Sequence, residues 1–244
     1  MQKIESVNNE TIKKLVKLKQ KKYRDEHGLV LVEGYKIFLE AVKSEQEILS
    51  VFATESELEK IDVKNFCNVY EISKMVSQKL TFNVTSCDFF AVIKKKQTKL
   101  TDQSFLILDN IQDPQNLGAI IRTSVACDVK NLYLINCADV FNEKTIRASM
   151  GNVFKINFEN ITPQDLEKIC NGKEIYCADM VGENLFELKN KAKTFGLIMG
   201  NEGNGVSKEV EKFATKTLSI PMKNNVESLN VAVSLAVILY NLTN

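Results

Sequence analysis

The stretch GLIMGNEGNGVSKEV, residues 196–210, joins an apolar run to three glycines, a carboxylate and the pattern of a helix start. The fold turns on what such a loop holds. A P-loop requires lysine and a hydroxyl residue directly after its last glycine. Here Val206 and Ser207 follow Gly205, and Lys208 comes too late. A dinucleotide fingerprint runs G-x-G-x-x-G into a helix, whereas Gly200, Gly203 and Gly205 run G-x-x-G-x-G. Glu202, inside the loop, would also repel a bound phosphate. The loop is not a phosphate cradle. Its plainest reading is a strand-to-helix turn whose glycines supply positive φ.

Around it, strand and helix patterns alternate. Strands are expected at 104–110, 131–137, 152–158, 174–180, 195–201 and 217–222, and helices near 117–127, 142–149, 163–171 and 207–214. Such alternation predicts a mostly parallel sheet covered on both faces. In the last segment Val231, Val233, Leu235, Val237 and Leu239 alternate at period two. Its length, its place after a strand and loop, and Ser228 as an available N-cap predict a helix from about 228 instead. That helix is apolar all round, which implies burial on more than one side, as at a subunit interface. The first half reads as a smaller α/β unit: a basic helix near 9–22, strands at 28–34, 47–54 and 88–96, and helices at 35–44, 55–61 and 73–80. The lysine-rich, polar stretch 94–104 reads as a linker, dividing the chain into domains 1–97 and 98–244.

The 244 residues, 44% hydrophobic and 26% charged, have the composition of a globular protein. The longest apolar stretch, LNVAVSLAVILY at 229–240, is too short to span a bilayer, and MQKIESVNNETIKKL at the N-terminus has no apolar core. Neither membrane attachment nor export is expected. Six cysteines, at 67, 87, 127, 137, 170 and 177, form no C-x-x-C pair, which predicts reduced cytoplasmic thiols and no metal site. His27 is the only histidine, so most metal and Ser-His-Asp schemes are excluded. The net charge of +1 conceals an asymmetry. Residues 1–100 carry 18 Lys/Arg against 14 Asp/Glu, the remainder 14 against 17, and residues 1–24 alone eight against two. A basic leading segment suits an anionic partner such as RNA. It equally suits a solvated helix face, since Ile12, Leu15, Val16 and Leu18 sit among the lysines.

Three polar segments follow strands in the second half: DNIQDPQNLGAIIRTS (109–124), GNEGNGVS (200–207) and IPMKNNVESLN (220–230). In parallel α/β folds, sites lie beyond the carboxyl ends of the strands, so these loops should converge. They pool Asn116, Arg122, Glu202, Ser228 and Asn230. Such a pocket can bind and orient, but it holds no histidine and no ordinary neutral-pH base.

NLGAIIRT, LIMGNEGNGVS and SIPMKNNVESLNVAVSLAVILY resemble, in order and in spacing, the three motifs of the SpoU (TrmH-type) RNA 2′-O-ribose methyltransferases. FNEKTIRASMGNVFKI (141–156) resembles the segment between that family's first two motifs. KYRDEHGLVLVEGYKIFLEAV (22–42) resembles its N-terminal substrate-binding domain. The resemblance implies a SPOUT fold, with a C-terminal segment threaded into a trefoil knot, beside an RNA-binding domain folded like certain ribosomal proteins. It implies a homodimer with active sites at the subunit interface, RNA rather than DNA or membrane as partner, and S-adenosylmethionine held by backbone groups. Gly200, Ile220 and Leu229 match cofactor contacts, and so does Met222. Arg122 matches the arginine proposed to take the 2′-hydroxyl proton, usually from the partner subunit. Guanidinium rarely deprotonates, so stabilisation of the developing alkoxide or clamping of a phosphate stands as the alternative.

By the same resemblance Asn116 orients Arg122 or the ribose, its alternative being a helix N-cap. Glu202 fixes Arg122 or a ribose hydroxyl, or is a solvated turn carboxylate. Ser228 and Asn230 contact substrate or cofactor, though Ser228 can equally be a cap. Arg147 touches an RNA phosphate or forms a surface salt bridge. The N-terminal domain favours ribosomal RNA over the tRNA substrates of the small family members. A catalytically inactive RNA-binding protein is opposed by the joint presence of Asn116, Arg122, Glu202 and Asn230. An ordinary Rossmann methyltransferase is opposed by the lack of a glycine-rich turn after a first strand.

Overall fold

A computed structural model describes residues 2–61, 68–82, 87–96, 99–201, 203–224 and 227–244. The chain folds as two units: Met1–Gln97 with Phe141–Phe154, and Thr98–Val140 with Lys155–Asn244.

The first unit comprises β1 (Gln2–Ile4), α1 (Glu10–Lys17), α2 (Lys21–His27), β2 (Leu29–Glu33), α3 (Tyr35–Lys43), β3 (Ile48–Ala53), α4 (Glu55–Leu58), β4 (Val69–Ile72), α5 (Lys74–Leu80) and β5 (Phe89–Lys94). The sheet order is β1-β4-β3-β5-β2. β4 runs parallel to β1 and β3, and β5 antiparallel to β2 and β3. α1 turns Ile12 and Leu15 into a core with Phe52, Phe90 and Leu80 and leaves its lysines outside. The expected helix over 9–22 is two helices. The buried guanidinium of Arg24 donates to the carbonyls of Leu18 (3.0 Å) and Lys19 (2.8 Å), groups that a continuous helix would use for its own ladder. Two strands went unexpected, β1 and β4, because three and four residues are too short to show a period.

The second unit begins with β6 (Phe105–Asp109), α6 (Pro114–Ala126) and β7 (Asn131–Ile135). The chain then supplies α7 (Glu143–Ala148) to the first unit and returns through β8 (Asn157–Asn160), α8 (Leu166–Cys170), β9 (Glu174–Asn184), β10 (Phe195–Met199), α9 (Lys208–Glu211), β11 (Lys216–Ser219) and α10 (Val231–Thr243). The strand order is β11-β9-β10-β6-β7-β8, parallel throughout. Every residue of β6 and β10 is buried, as central strands covered on both faces require.

Three expectations are corrected. The strand expected at 152–158 opens as a 3-10 turn over Asn152–Lys155, because Met150 and Gly151 both hold positive φ and curl the chain there. The strand expected to reach 222 stops at Ser219, two residues before Pro221, which has no N–H for a ladder. The last segment is a helix despite its period-two alternation, but its cap is Asn230 and not Ser228. The Asn230 carboxamide oxygen accepts from the N–H groups of Ala232 (3.0 Å) and Val233 (3.4 Å). α10 packs along α6 and buries Leu235 and Leu239 completely. Truncating either leucine to alanine would cost about 2–5 kcal/mol. Among the described residues no helix is long and apolar enough to cross a membrane.

Candidate active site

The loops that follow β6, β10 and β11 meet at the carboxyl edge of the sheet. Asp109 ends the apolar strand β6, is 4% exposed, and accepts from the Ser207 N–H at 2.7 Å. The Asn201 side chain donates to the Asn110 carbonyl at 3.0 Å. The Asn230 side chain donates to the Asn116 carboxamide oxygen, also at 3.0 Å. The first two bonds tie the loop after β10 to the end of β6. The third ties the loop after β11 to the first turn of α6. Charge assistance makes the Asp109 bond the strongest of the three.

The glycines of the loop after β10 have steric work to do. Asn201 and Gly205 exchange two backbone hydrogen bonds (3.0 and 2.8 Å), and the Gly203 N–H donates to the Asn201 side chain at 2.8 Å. Gly205 sits at φ +66°. At Gly200 a Cβ would stand 2.3 Å from the carbonyl carbon and oxygen of Gly205 and 2.4 Å from the Val206 nitrogen. The chain doubles back there too closely for any side chain.

Behind this hairpin lies a cavity of about 350 Å³, within the range of small-ligand sites. Gly200, Asn201 and Gly205 form one wall, Ile220, Met222, Ser228 and Leu229 another, and Ser234 and Ile238 of α10 the back. Ala178, Asp179 and Met180 complete the rim. Apolar side chains with exposed backbone edges between them suit a flat heteroaromatic ring joined to a sugar. The only charged side chain on the wall, among the described residues, is Asp179. An adenosyl donor therefore fits the size and chemistry of the cavity, with backbone N–H and C=O groups available to its polar edges.

The structure thus gathers Gly200, Ile220, Met222, Leu229 and Ser228 around one cavity. Asn116 and Asn230 are bonded to each other and do not line it. Asn116 is not a cap: Asp113 caps α6, accepting from the Gln115 N–H at 2.9 Å, with Pro114 in the first turn. Arg122 is exposed on α6, is absent from the wall, and has no hydrogen bond or salt bridge among the described residues. Glu202 lies outside the described residues. Arg147 is exposed on α7, in the first unit. Sequence reasoning places Asp109 near the loops but finds no pairing that selects it, because its partner is an amide 98 residues away. It missed Asp179 and Met180, because the strand expected to stop at 180 runs on to Asn184.

Burial pushes the thiols of Cys137 and Cys170 up to about 11 and that of Cys177 up to about 12; burial also raises Cys87 and Cys127. None of these five supplies a thiolate at neutral pH.

Residues 103–240 match the SpoU rRNA Methylase family, and residues 9–91 the MRM3-like substrate binding domain. The chain is 31% identical over 246 residues to the Bacillus subtilis 23S rRNA (guanosine(2553)-2′-O)-methyltransferase RlmP, covering 99% of each protein. It is 27% identical over 203 residues to Xenopus tropicalis mitochondrial rRNA methyltransferase 3, covering 75% of this chain and 49% of that one. The AdoMet-bound rRNA methyltransferase from Sinorhizobium meliloti superimposes with a TM-score of 0.86 at 25% identity, covering 98% of this chain and 96% of the other.

Proposed function

The chain belongs to the SpoU rRNA methylase family, and we propose that it methylates the 2′-hydroxyl of a ribose in large-subunit ribosomal RNA, with S-adenosylmethionine as donor. One observation carries this reading: two of the three motif loops line a single cavity whose size and wall chemistry suit an adenosyl group, and the third is hydrogen-bonded to both of them. Preference for ribosomal RNA is supported by a match that runs through both units to a 23S rRNA enzyme. Residues 1–97 hold the RNA and residues 98–244 carry the transfer. The protein works in the cytoplasm, with its RNA and its reduced thiols.

When bound, the donor supplies a methyl group on a positively charged sulfur. Gly200, Ile220, Met222 and Leu229 hold it, largely through backbone and apolar contact, so that alignment with the attacking oxygen is fixed before reaction. Transfer to a ribose 2′-oxygen would require its hydroxyl proton to pass to water or to a group off the cavity wall. Arg122 faces the developing oxyanion and stabilises it; a permanently charged guanidinium is better suited to this than to taking the proton. Asn116 and Asn230, bonded to each other at the starts of α6 and α10, brace the floor on which substrate rests, with Ser228 at its edge. Arg122 does not line the cavity of its own chain, which is consistent with its acting on the cavity of a second copy, as the family resemblance implies. Exposed Val233 and Tyr240 on α10, and Phe186 beyond β9, supply apolar surface for such a homodimer.

The test is incubation of the purified protein with total cellular RNA and methyl-labelled S-adenosylmethionine, then mapping of alkali-resistant linkages. Label in large-subunit RNA is expected. Label confined to tRNA would refute the substrate, and absence of label with RNA binding intact would refute the activity.

A further inference from the structure

β9 and β11 run side by side, but their register breaks. Thr217 pairs with Cys177, and the next residue, Leu218, pairs with Glu183. Residues 178–182 are therefore extruded from the ladder as a five-residue bulge. Bulges of this kind re-aim side chains beside functional sites. This one sends Ala178, Asp179 and Met180 to the rim of the cavity. It is a built feature. At Gly182, the foot of the bulge, a Cβ would stand 2.7 Å from the Thr217 carbonyl oxygen, so no side chain is tolerated where the two strands rejoin. The Ser219 hydroxyl donates to the Gly182 carbonyl at 3.0 Å, fastening the same point. Within the bulge the Val181 N–H donates to one carboxylate oxygen of Asp179 at 3.0 Å and orients it.

The consequence is one carboxylate on a wall that carries no other charged side chain among the described residues, and no cation there pairs with it. Resting on the function proposed above, we propose that the β9 bulge sets Asp179 to recognise the positive charge on the sulfur of the bound donor. The site thereby distinguishes the sulfonium donor from the neutral thioether left after transfer. Donor and product share an amino-acid end and an adenosyl end and differ only in the methyl group and its charge. Once the methyl group leaves, the carboxylate loses its counter-charge and the product's hold weakens, which favours exchange for fresh donor. Asp179 is exposed, so the attraction is screened and modest.

Isothermal titration of S-adenosylmethionine, S-adenosylhomocysteine and sinefungin into wild-type protein and Asp179→Asn tests this without turnover. Sinefungin carries an amine, protonated at neutral pH, near the position of the sulfonium. Asp179→Asn should weaken the two ligands charged there by about twofold to fivefold, the size of an exposed ion pair, and leave the thioether within about 1.3-fold. Asp179→Glu should preserve the preference, and raised salt should erode it in wild type and Asp179→Glu alike. Equal weakening of all three ligands would place the carboxylate at the shared amino-acid end and overturn the proposal, as would no weakening at all. Unchanged thermal unfolding of Asp179→Asn excludes a folding defect; an unfolded variant would show that the carboxylate serves structure and would also overturn it. Wild-type protein that binds none of the three would bring down the proposed function itself, and this inference with it.

Discussion

Replacing Gly200 by alanine should damage cofactor binding more than any other single methyl group added to this loop. The new Cβ would meet the Gly205 carbon and oxygen at 2.3 Å and the Val206 nitrogen at 2.4 Å, whereas ordinary contact begins near 3.4 Å. Those atoms belong to backbone, so no rotamer relieves the overlap, and the returning strand of the hairpin must retreat by about 1 Å, the difference between clash and contact. Retreat strains or breaks the two Asn201–Gly205 hydrogen bonds, each worth about 0.5–1.5 kcal/mol. Overpacking adds about 1–3 kcal/mol. The loop can lift locally, which caps the global loss at about 2–4 kcal/mol, or about 5–15 °C in Tm for a chain of this size. Local lifting, however, removes the wall of the cavity. Differential scanning calorimetry paired with titration of S-adenosylmethionine reads both effects. Two controls bracket the result. Gly203→Ala meets only the Asn201 side-chain oxygen at 3.4 Å and should be nearly silent. Gly205→Ala meets nothing within 4 Å but must hold φ +66°, a cost of about 1 kcal/mol. Gly200→Ala with Tm and affinity matching Gly203→Ala would refute the steric reasoning.

Asn230→Ala removes both a helix cap and the bond to Asn116, and should cost about 1–3 kcal/mol in urea unfolding. Asn230→Asp keeps the cap and should recover most of that; if the two variants are equally unstable, capping is not the reason. Arg122→Ala should lower turnover roughly a hundredfold to thousandfold while leaving S-adenosylmethionine affinity unchanged, and retained single-turnover rates would remove the arginine from the mechanism. The raised thiols of Cys137, Cys170 and Cys177 give a pH dependence of defined sign. Below their ordinary value of 9.0 both folded and unfolded thiols are protonated. Above it only the unfolded chain ionises, so stability should fall from about pH 9 toward the folded values of about 11 to 12. Mass-mapped labelling at pH 8 should modify these three only after urea unfolds the chain, and rapid native labelling would contradict their burial.

What the sequence disclosed and what it hid divide along a physical line. β6 and β10 were legible because a strand buried on both faces is written as an unbroken apolar run. The loop after β10 was legible as a tight turn because a doubling-back chain takes glycine, and glycine is visible; that the turn walls a cavity was not, apart from the family resemblance. Hidden were features decided by partners far along the chain. SLN at 228–230 offers two good caps, and what favours the second is a side chain 114 residues away, Asn116. A buried Arg24 breaks the first helix at a point where the helical period continues unbroken. The β9 bulge exists only relative to the register of β11, and in CADMVGEN only Gly182, at its foot, marks it.

These placements also divide the labour of the site. The cavity wall is backbone and apolar side chain, so a change there acts through shape and should appear in donor affinity. Among the described residues the wall holds one carboxylate, on its rim, and no histidine, lysine or thiolate. The proton released by a ribose hydroxyl must then leave by a group off the wall or by water. The groups proposed to govern it, Arg122 foremost, stand on α6, a different element from the glycine hairpin. Substitutions on α6 should consequently lower the rate at saturating donor, and substitutions in the hairpin should raise the donor concentration needed to reach it. A site that mixed both functions in one residue would show the two effects together. Here the two sets of residues occupy separate loops: Asp109 and Asn201 bond the hairpin to the end of β6, and Asn230 bonds the loop after β11 to α6, so the effects should separate unless one of those joints is cut.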